Sequence, residues 1–211
     1  MSLYGIPAPA MESAGVRVHG RTAVECCVDR HAMTVGRAVY GLQLPPQPLP
    51  PLVLDLFCGS GNLGYWISRC LGVPAYAAEL DTDVHDATRH NLRLVGADVR
   101  LRRADYRELL GSLSPRGPWD VCVLDPPPPE DPAGRAVDAE APGPSLAQVL
   151  DDIRSARADR PCVVVVRTTD AMADDSPQER FASARHLCAV APEPASPPGF
   201  NTAFHLYAVP G

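Results

Sequence analysis

From residue 52 onward the chain alternates between short apolar runs and longer amphipathic ones. LVLDLF (52–57) reads as a buried strand, and residues 61–71 read as a helix ended by Gly72. PAYAAEL (74–80) predicts a second strand. Residues 83–95 predict a helix closed by Gly96, with Asp81 and Asp83 at its positive end. VRLRRA (99–104) predicts a short third strand, DYRELL a helical turn, and WDVCVLD (119–125) a fourth strand. Ser145-x-x-Gln148 is a capping box that opens a helix. CVVVV (162–166) has no polar alternation, as expected of a central strand buried on both faces. Ser176-Pro177-Gln178-Glu179 is a second capping box, with Pro at the first helical position. HLCAVAP (186–192) and TAFHLYAV (202–209) predict two final strands. A Pro/Gly loop joins them without a crossover helix, which predicts an antiparallel pair. The sum is five β–α units followed by a hairpin: an α/β, doubly wound, Rossmann-like sheet with helices on both faces.

The upstream part reads differently. Residues 1–15 predict a loose arm. GVRVHGRTAVECCV (15–28) alternates, with Gly at its middle, and predicts a hairpin or bulged strand. Residues 31–44 predict a helix, and PPQPLPP (45–51) stops it, because Pro cannot continue a helix. The expected organisation is an N-terminal arm, hairpin and helix over 1–48, then a ligand-binding domain over 49–211. PPPPEDPAGRAVDAEAPGP (126–144) has no periodicity, and loops of that length are usually functional lids or disordered.

Composition narrows the chemistry. The 211 residues are 45% hydrophobic, enough for one real core. All 19 basic residues are Arg, so Schiff-base chemistry on a lysine and a GxxxxGK[ST] phosphate loop are excluded. Seven Cys, an odd number with no CxxC, argue against a structural zinc site or a disulfide framework, and the expected compartment is a reducing cytoplasm. No apolar run approaches membrane-spanning length, and MSLYGIPAPAMESAG lacks the basic and apolar regions of a signal peptide. The His spacing offers no metal motif; His85 and His90 amid Asp81, Asp83 and Asp86 read as an acidic helix start. The net charge of −6 does not suit strong non-specific nucleic-acid binding, though Arg93, Arg100, Arg102, Arg103 and Arg107 form one basic cluster.

The strongest local signal is Asp55-Leu56-Phe57-Cys58-Gly59-Ser60-Gly61-Asn62-Leu63-Gly64, between the first of the alternating strands and its helix. Gly59-x-Gly61-x-x-Gly64 has the spacing of an adenosine-ligand loop, and Glu79, 20 residues after Gly59, suits ribose hydroxyls. Asp55 discriminates between ligands. Its carboxylate would repel a pyrophosphate seated at the helix N-terminus. It would instead favour S-adenosylmethionine, which has an ammonium and a sulfonium and no phosphate. The competing role for Asp55 is to brace the loop by accepting from its backbone N–H groups.

LVLDLFCGSGNLG, AYAAELD, RADY and VCVLDPPPP resemble successive motifs of the class I S-adenosylmethionine-dependent methyltransferases. The resemblance covers residues 50–130 in detail and implies a seven-stranded sheet whose last strand is antiparallel. It also implies a site. Asp55 and the turn with Phe57, Cys58, Gly59, Gly61 and Asn62 would contact the methionine part. Glu79 would bind the ribose, Leu80 would pack on adenine, Asp105 would meet the adenine amine, and Tyr106 would lie beside the ring. Asp125, Pro126 and Pro127 would receive the target amine at the catalytic position. In amino-methylating members an aromatic follows the two prolines; here Pro128 stands in that slot. A stacking partner would have to come from Tyr4, Trp66, Tyr106 or Phe200. The DPP type and the upstream helix are loosely similar to the ribosomal-RNA guanine-N2 methyltransferases.

Two acceptors follow, the first of them the leading expectation and the second its alternative. DPP and the arginines, with Arg100, Arg102 and Arg103 as substrate contacts, favour a nucleobase amine in RNA or DNA. The acidic balance and the long loop favour a small molecule of a biosynthetic pathway. Two other chemistries are weaker. Cys-dependent C5 methylation would need Cys162 or Cys122, both of which read as core strand residues. An NAD(P)-dependent oxidoreductase would share GxGxxG, but the chain has no Tyr-x-x-x-Lys pair.

Overall fold

A computed structural model describes residues 1–19, 22–42, 46–125, 144–169, 181–191 and 202–211. The second capping box at Ser176, the prolines Pro126, Pro127 and Pro128, and Phe200 lie outside the described residues.

In chain order the elements are β1 (Ser2–Leu3), β2 (Ile6–Pro7), α1 (Ala8–Ala14), α2 (Thr22–Glu25), α3 (Asp29–Gly41), β3 (Val53–Asp55), α4 (Asn62–Leu71), β4 (Ala75–Glu79), α5 (Thr82–Leu94), β5 (Val99–Arg103), α6 (Tyr106–Gly111), β6 (Val121–Leu124), α7 (Leu146–Ala156), β7 (Cys162–Thr169), β8 (Arg185–Val190) and β9 (Thr202–Val209). Strands β3 to β9 make one seven-stranded sheet in the order β5-β4-β3-β6-β7-β9-β8. The pairs among β3 to β7 are parallel, and β9 runs antiparallel to both β7 and β8. The expected Rossmann-like architecture with its antiparallel last strand is present.

Local chemistry accounts for most boundaries. Gly72 ends α4 in the left-handed conformation, and Asp81 caps α5 by accepting from the N–H groups of Asp83 and Val84. Ser145 caps α7 through Gln148 N–H, as its motif predicts. On β7, Cys162 to Val166 are at most 2% exposed, because both faces are covered. Strand alternation sorts the core into two layers. Leu52, Leu54, Cys122, Leu124, Val164 and Val166 face α6 and α7. Val53, Val121, Val123, Val163 and Val165 face α3 and α4.

The N-terminal region corrects two expectations. Residues 1–15 are not a loose arm: β1 and β2 form a small antiparallel hairpin, α1 follows, and Leu3, Tyr4 and Met11 are buried with Tyr65 and Leu92. Nor do the described residues of 15–28 form a hairpin or bulged strand. Arg17 gives its N–H to the Asn91 side chain at 2.8 Å, and its carbonyl accepts from the same amide at 2.6 Å. One side chain thus satisfies the backbone groups that a partner strand would have taken. Residues 22–25 turn into the short helix α2.

At the base of the sheet, Asp120 and Arg157 form a buried ion pair at 3.0 Å. The Asp120 carboxylate also accepts from the N–H groups of Leu52 and Arg116, and Arg157 donates to the carbonyls of Gly117 and Pro161. This joins the starts of β3, β6 and β7 at the end opposite the site.

Candidate functional site

The order of connections reverses between β3 and β6. The chain runs outward from β3 through β4 to β5, then returns to lay β6 on the other side of β3. In open α/β sheets that reversal opens a crevice beyond the carboxyl ends of the two strands. Asp55 ends β3 and Asp125 follows β6, so both carboxylates stand at the carboxyl ends of the two strands where the order reverses.

Asp55 is 1% exposed. Its Oδ2 accepts from Gly64 N–H at 3.1 Å, the loop-bracing role. A Cβ on Gly64 would lie 2.6 Å from that oxygen, so the third glycine of the motif is what lets α4 approach β3. The other oxygen, Oδ1, is buried with no hydrogen-bond partner. Burial first, then the negative charges of Asp125 and Glu79, raise the Asp55 pKa to about 7 against the opposing Gly64 N–H. A buried carboxylate oxygen left without a partner at the carboxyl ends of the strands fits a cationic ligand group such as an ammonium and would not suit a phosphate.

The glycine loop is held from every side. Gly61 N–H donates to Cys58 O at 2.6 Å, Cys58 N–H to Ala78 O at 3.0 Å, and Thr88 Oγ1 to Gly59 O at 2.7 Å. Gly61, at φ 71°, takes the left-handed turn that starts α4. Glu79 Oε2 accepts from Gly59 N–H at 3.0 Å and Oε1 from Asp81 N–H at 2.9 Å. Each oxygen of a carboxylate can accept again, so the group is oriented while keeping capacity for hydroxyls. Leu80, next in sequence, is 68% exposed, an uncovered apolar side chain beside the loop.

Other candidates have partners of their own. Asn62 is fully buried and points away from the crevice: it accepts from Tyr4 N–H at 2.9 Å and donates to Cys27 O and Asp29 Oδ1. Tyr106 is 3% exposed; its ring packs on Phe57 with centroids 4.9 Å apart, and its hydroxyl donates to Asp152 at 2.6 Å. Both its ring and its hydroxyl are thus engaged within the protein. Asp105 caps α6 through Arg107 N–H. Burial pushes the Cys58 thiol well up, with Asp55 and Glu79 adding to it.

The arginine cluster divides. Arg100 lies over the Tyr76 ring at 5.2 Å, and Arg102 donates to Ser112 Oγ at 2.8 Å. Arg103, of opposite parity on β5, emerges on the other face of the sheet. The period-two reading of VRLRR already contains this split.

Arg167 is the site residue that sequence reasoning did not single out. Val123 lies opposite Asp55 on one side and Val165 on the other, so Asp125 comes level with Arg167. Arg167 Nη1 donates to Asp125 Oδ2 at 3.0 Å. The available signal was a charge placed directly after a fully apolar strand. Among the described residues no cluster of His, Cys, Asp and Glu is placed to hold a metal ion. No described helix is long and apolar enough to cross a membrane.

No family model matches the chain, and no curated protein matches it. Solved structures do. A Listeria monocytogenes protein described as a class I S-adenosylmethionine-dependent methyltransferase aligns with a TM-score of 0.65 at 13% identity, over 95% of this chain and 65% of its own. A Klebsiella pneumoniae protein described as an O-methyltransferase aligns at 0.59 and 17% identity, over 95% and 87%. Escherichia coli YhhF, described as a methyltransferase, aligns at 0.57 and 16%, over 89% of each chain. The chain has the fold of the class I S-adenosylmethionine-dependent methyltransferases. At these identities the likeness speaks for the fold.

Proposed function

We propose that the protein is an S-adenosylmethionine-dependent methyltransferase acting on a nitrogen or oxygen of a small acceptor molecule. The observation that carries the cofactor is the buried, unpartnered Asp55 Oδ1 at the strand-order reversal. Asp55 would take the ammonium, Glu79 the ribose hydroxyls, and Leu80 and Asp105 the adenine. The turn of Phe57 to Gly61 would line the methionine part. When bound, the donor supplies a methyl group on a positively charged sulfur.

The remaining work falls to the chain. Asp125, held by Arg167, accepts a hydrogen bond from the acceptor's N–H or O–H. That contact turns the acceptor lone pair toward the methyl, so the help is positioning and electrostatics. By the resemblance, Pro126 and Pro127, which follow Asp125 in the sequence, would offer their carbonyls to the same amine.

A small acceptor is favoured over a polynucleotide by the arginines. Arg100 and Arg102 are engaged with Tyr76 and Ser112, and Arg103 leaves on the opposite face, so the three do not make one phosphate-binding stripe. The second reading, a nucleobase amine in RNA or DNA, draws on the exposure of all three along edge strand β5.

The test is incubation with radiolabelled S-adenosylmethionine and separate pools of cell RNA, DNA and metabolites. Label in the metabolite pool supports the first reading, and label in RNA or DNA supports the second. Thermal stabilisation by NAD(P) and not by S-adenosylhomocysteine would replace both with an oxidoreductase.

A further inference from the structure

The hairpin of β1 and β2 turns through two residues, Tyr4 and Gly5, both left-handed at φ 55° and 84°. Two-residue hairpins favour such turns, but their first position suits Asn, Asp or Gly. A bulky side chain there is a backbone outlier that persists only where its surroundings hold it, and such outliers gather at functional sites.

What holds Tyr4 is the glycine loop itself. Its backbone N–H donates to Asn62 Oδ1 at 2.9 Å, and its hydroxyl donates to the carbonyl of Ser60. Its ring meets Tyr65 edge-on at 5.7 Å, and the residue is 4% exposed. Gly5 N–H donates to Asp29 Oδ2 at 2.9 Å. Asp29 Oδ1 accepts from Trp66 Nε1 at 2.7 Å and from Asn62 Nδ2 at 3.1 Å. The hairpin tip is therefore bonded to the residues on either side of Gly61. Burial pushes the Tyr4 phenol pKa upward, so the hydroxyl remains a donor across the neutral range.

We infer that the Tyr4 hairpin is a latch on the donor loop, with Tyr4 a positioning residue that holds Ser60-Gly61-Asn62 in the form that receives the donor. This rests on the donor site proposed above. Anchoring the N-terminus would need only the ring, already packed on Tyr65. The hydroxyl bond to Ser60 serves the loop. Linkage then requires the converse effect: a ligand in the donor site steadies the hairpin.

The experiment uses the full chain and S-adenosylhomocysteine as probe. Tyr4→Phe keeps the ring and removes the hydroxyl. Calorimetry is expected to show Kd raised about five- to tenfold, the effect of one buried hydrogen bond. Trp66 fluorescence should stay native. Ile153→Val trims a fully buried side chain of α7, on the other face of the sheet, and serves as the destabilised control with unchanged Kd. In the wild type, hydrogen exchange at the Tyr4 and Gly5 amides should slow on adding the probe, a measurement that stands even if the variant fails to fold. Wild-type binding with Tyr4→Phe within twofold, or equal exchange with and without probe, overturns the latch alone. No binding by the wild type overturns the donor site together with it.

Discussion

Asp125, directly after β6, and Arg167 on the neighbouring parallel strand β7 are 42 residues apart in the chain, with Oδ2 3.0 Å from Nη1. The pair closes one end of a row of charges that begins at Asp55, on the face covered by α3 and α4. It gives the carboxylate a set direction at the point where the acceptor is proposed to enter.

Replacing Asp125 by Ala should therefore lower turnover far more than donor affinity. A fall in kcat of tenfold or more, with the Kd of S-adenosylhomocysteine within about twofold, is the expected pattern for a group acting on the acceptor. The reverse pattern would move Asp125 out of that role.

Glu79→Ala should weaken the donor complex by on the order of 1–3 kcal/mol, since the ribose hydroxyls lose their acceptor and the Gly59 N–H loses its own. Calorimetry with S-adenosylhomocysteine measures this. Unchanged affinity would count against the ribose assignment.

Asp55 predicts opposite pH trends for stability and binding. Its folded pKa, about 7, lies above the ordinary 3.8, so the folded chain holds the proton more tightly than the unfolded one. The group favours folding at low pH, and that contribution is lost as pH rises from the lower value to the higher. The Tm of the ligand-free wild type should therefore fall over this window relative to Asp55→Asn. Affinity for S-adenosylhomocysteine, whose ammonium needs the ionised carboxylate, should rise through pH 7 in the wild type. It should stay weak and flat in Asp55→Asn.

Asp120→Ala leaves the Arg157 guanidinium buried and unpaired, a change that costs about 3–5 kcal/mol. For a chain of this size the Tm should drop by on the order of 10 °C in calorimetry. The donor crevice is at the other end of the sheet, so S-adenosylhomocysteine affinity in the folded fraction should remain near that of the wild type.

Joint replacement of Arg100, Arg102 and Arg103 separates the two acceptors. With a small acceptor, the salt dependence of turnover should not change. With a polynucleotide, the slope against salt should flatten by nearly one for each phosphate that the protein no longer neutralises.

From residue 52 to residue 166 the described elements and the ligand loop are legible in the residues alone. Strand and helix periods, the Gly72 stop, the Asp81 and Ser145 caps and the Gly59-x-Gly61-x-x-Gly64 turn all depend on residues within a few positions of one another. Backbone conformation is set at that range. What the loop is tied to emerges only when the chain is packed. Tyr4 reaches Ser60 and Asn62 across 56 and 58 residues, and Asn91 replaces a strand partner for Arg17 across 74. The same holds for Asn62, whose place in the motif suggested a ligand contact and whose side chain is committed to Asp29. A polar side chain goes to whichever partner the packed fold brings within about 3 Å, and hydrophobic periodicity records burial without naming that partner.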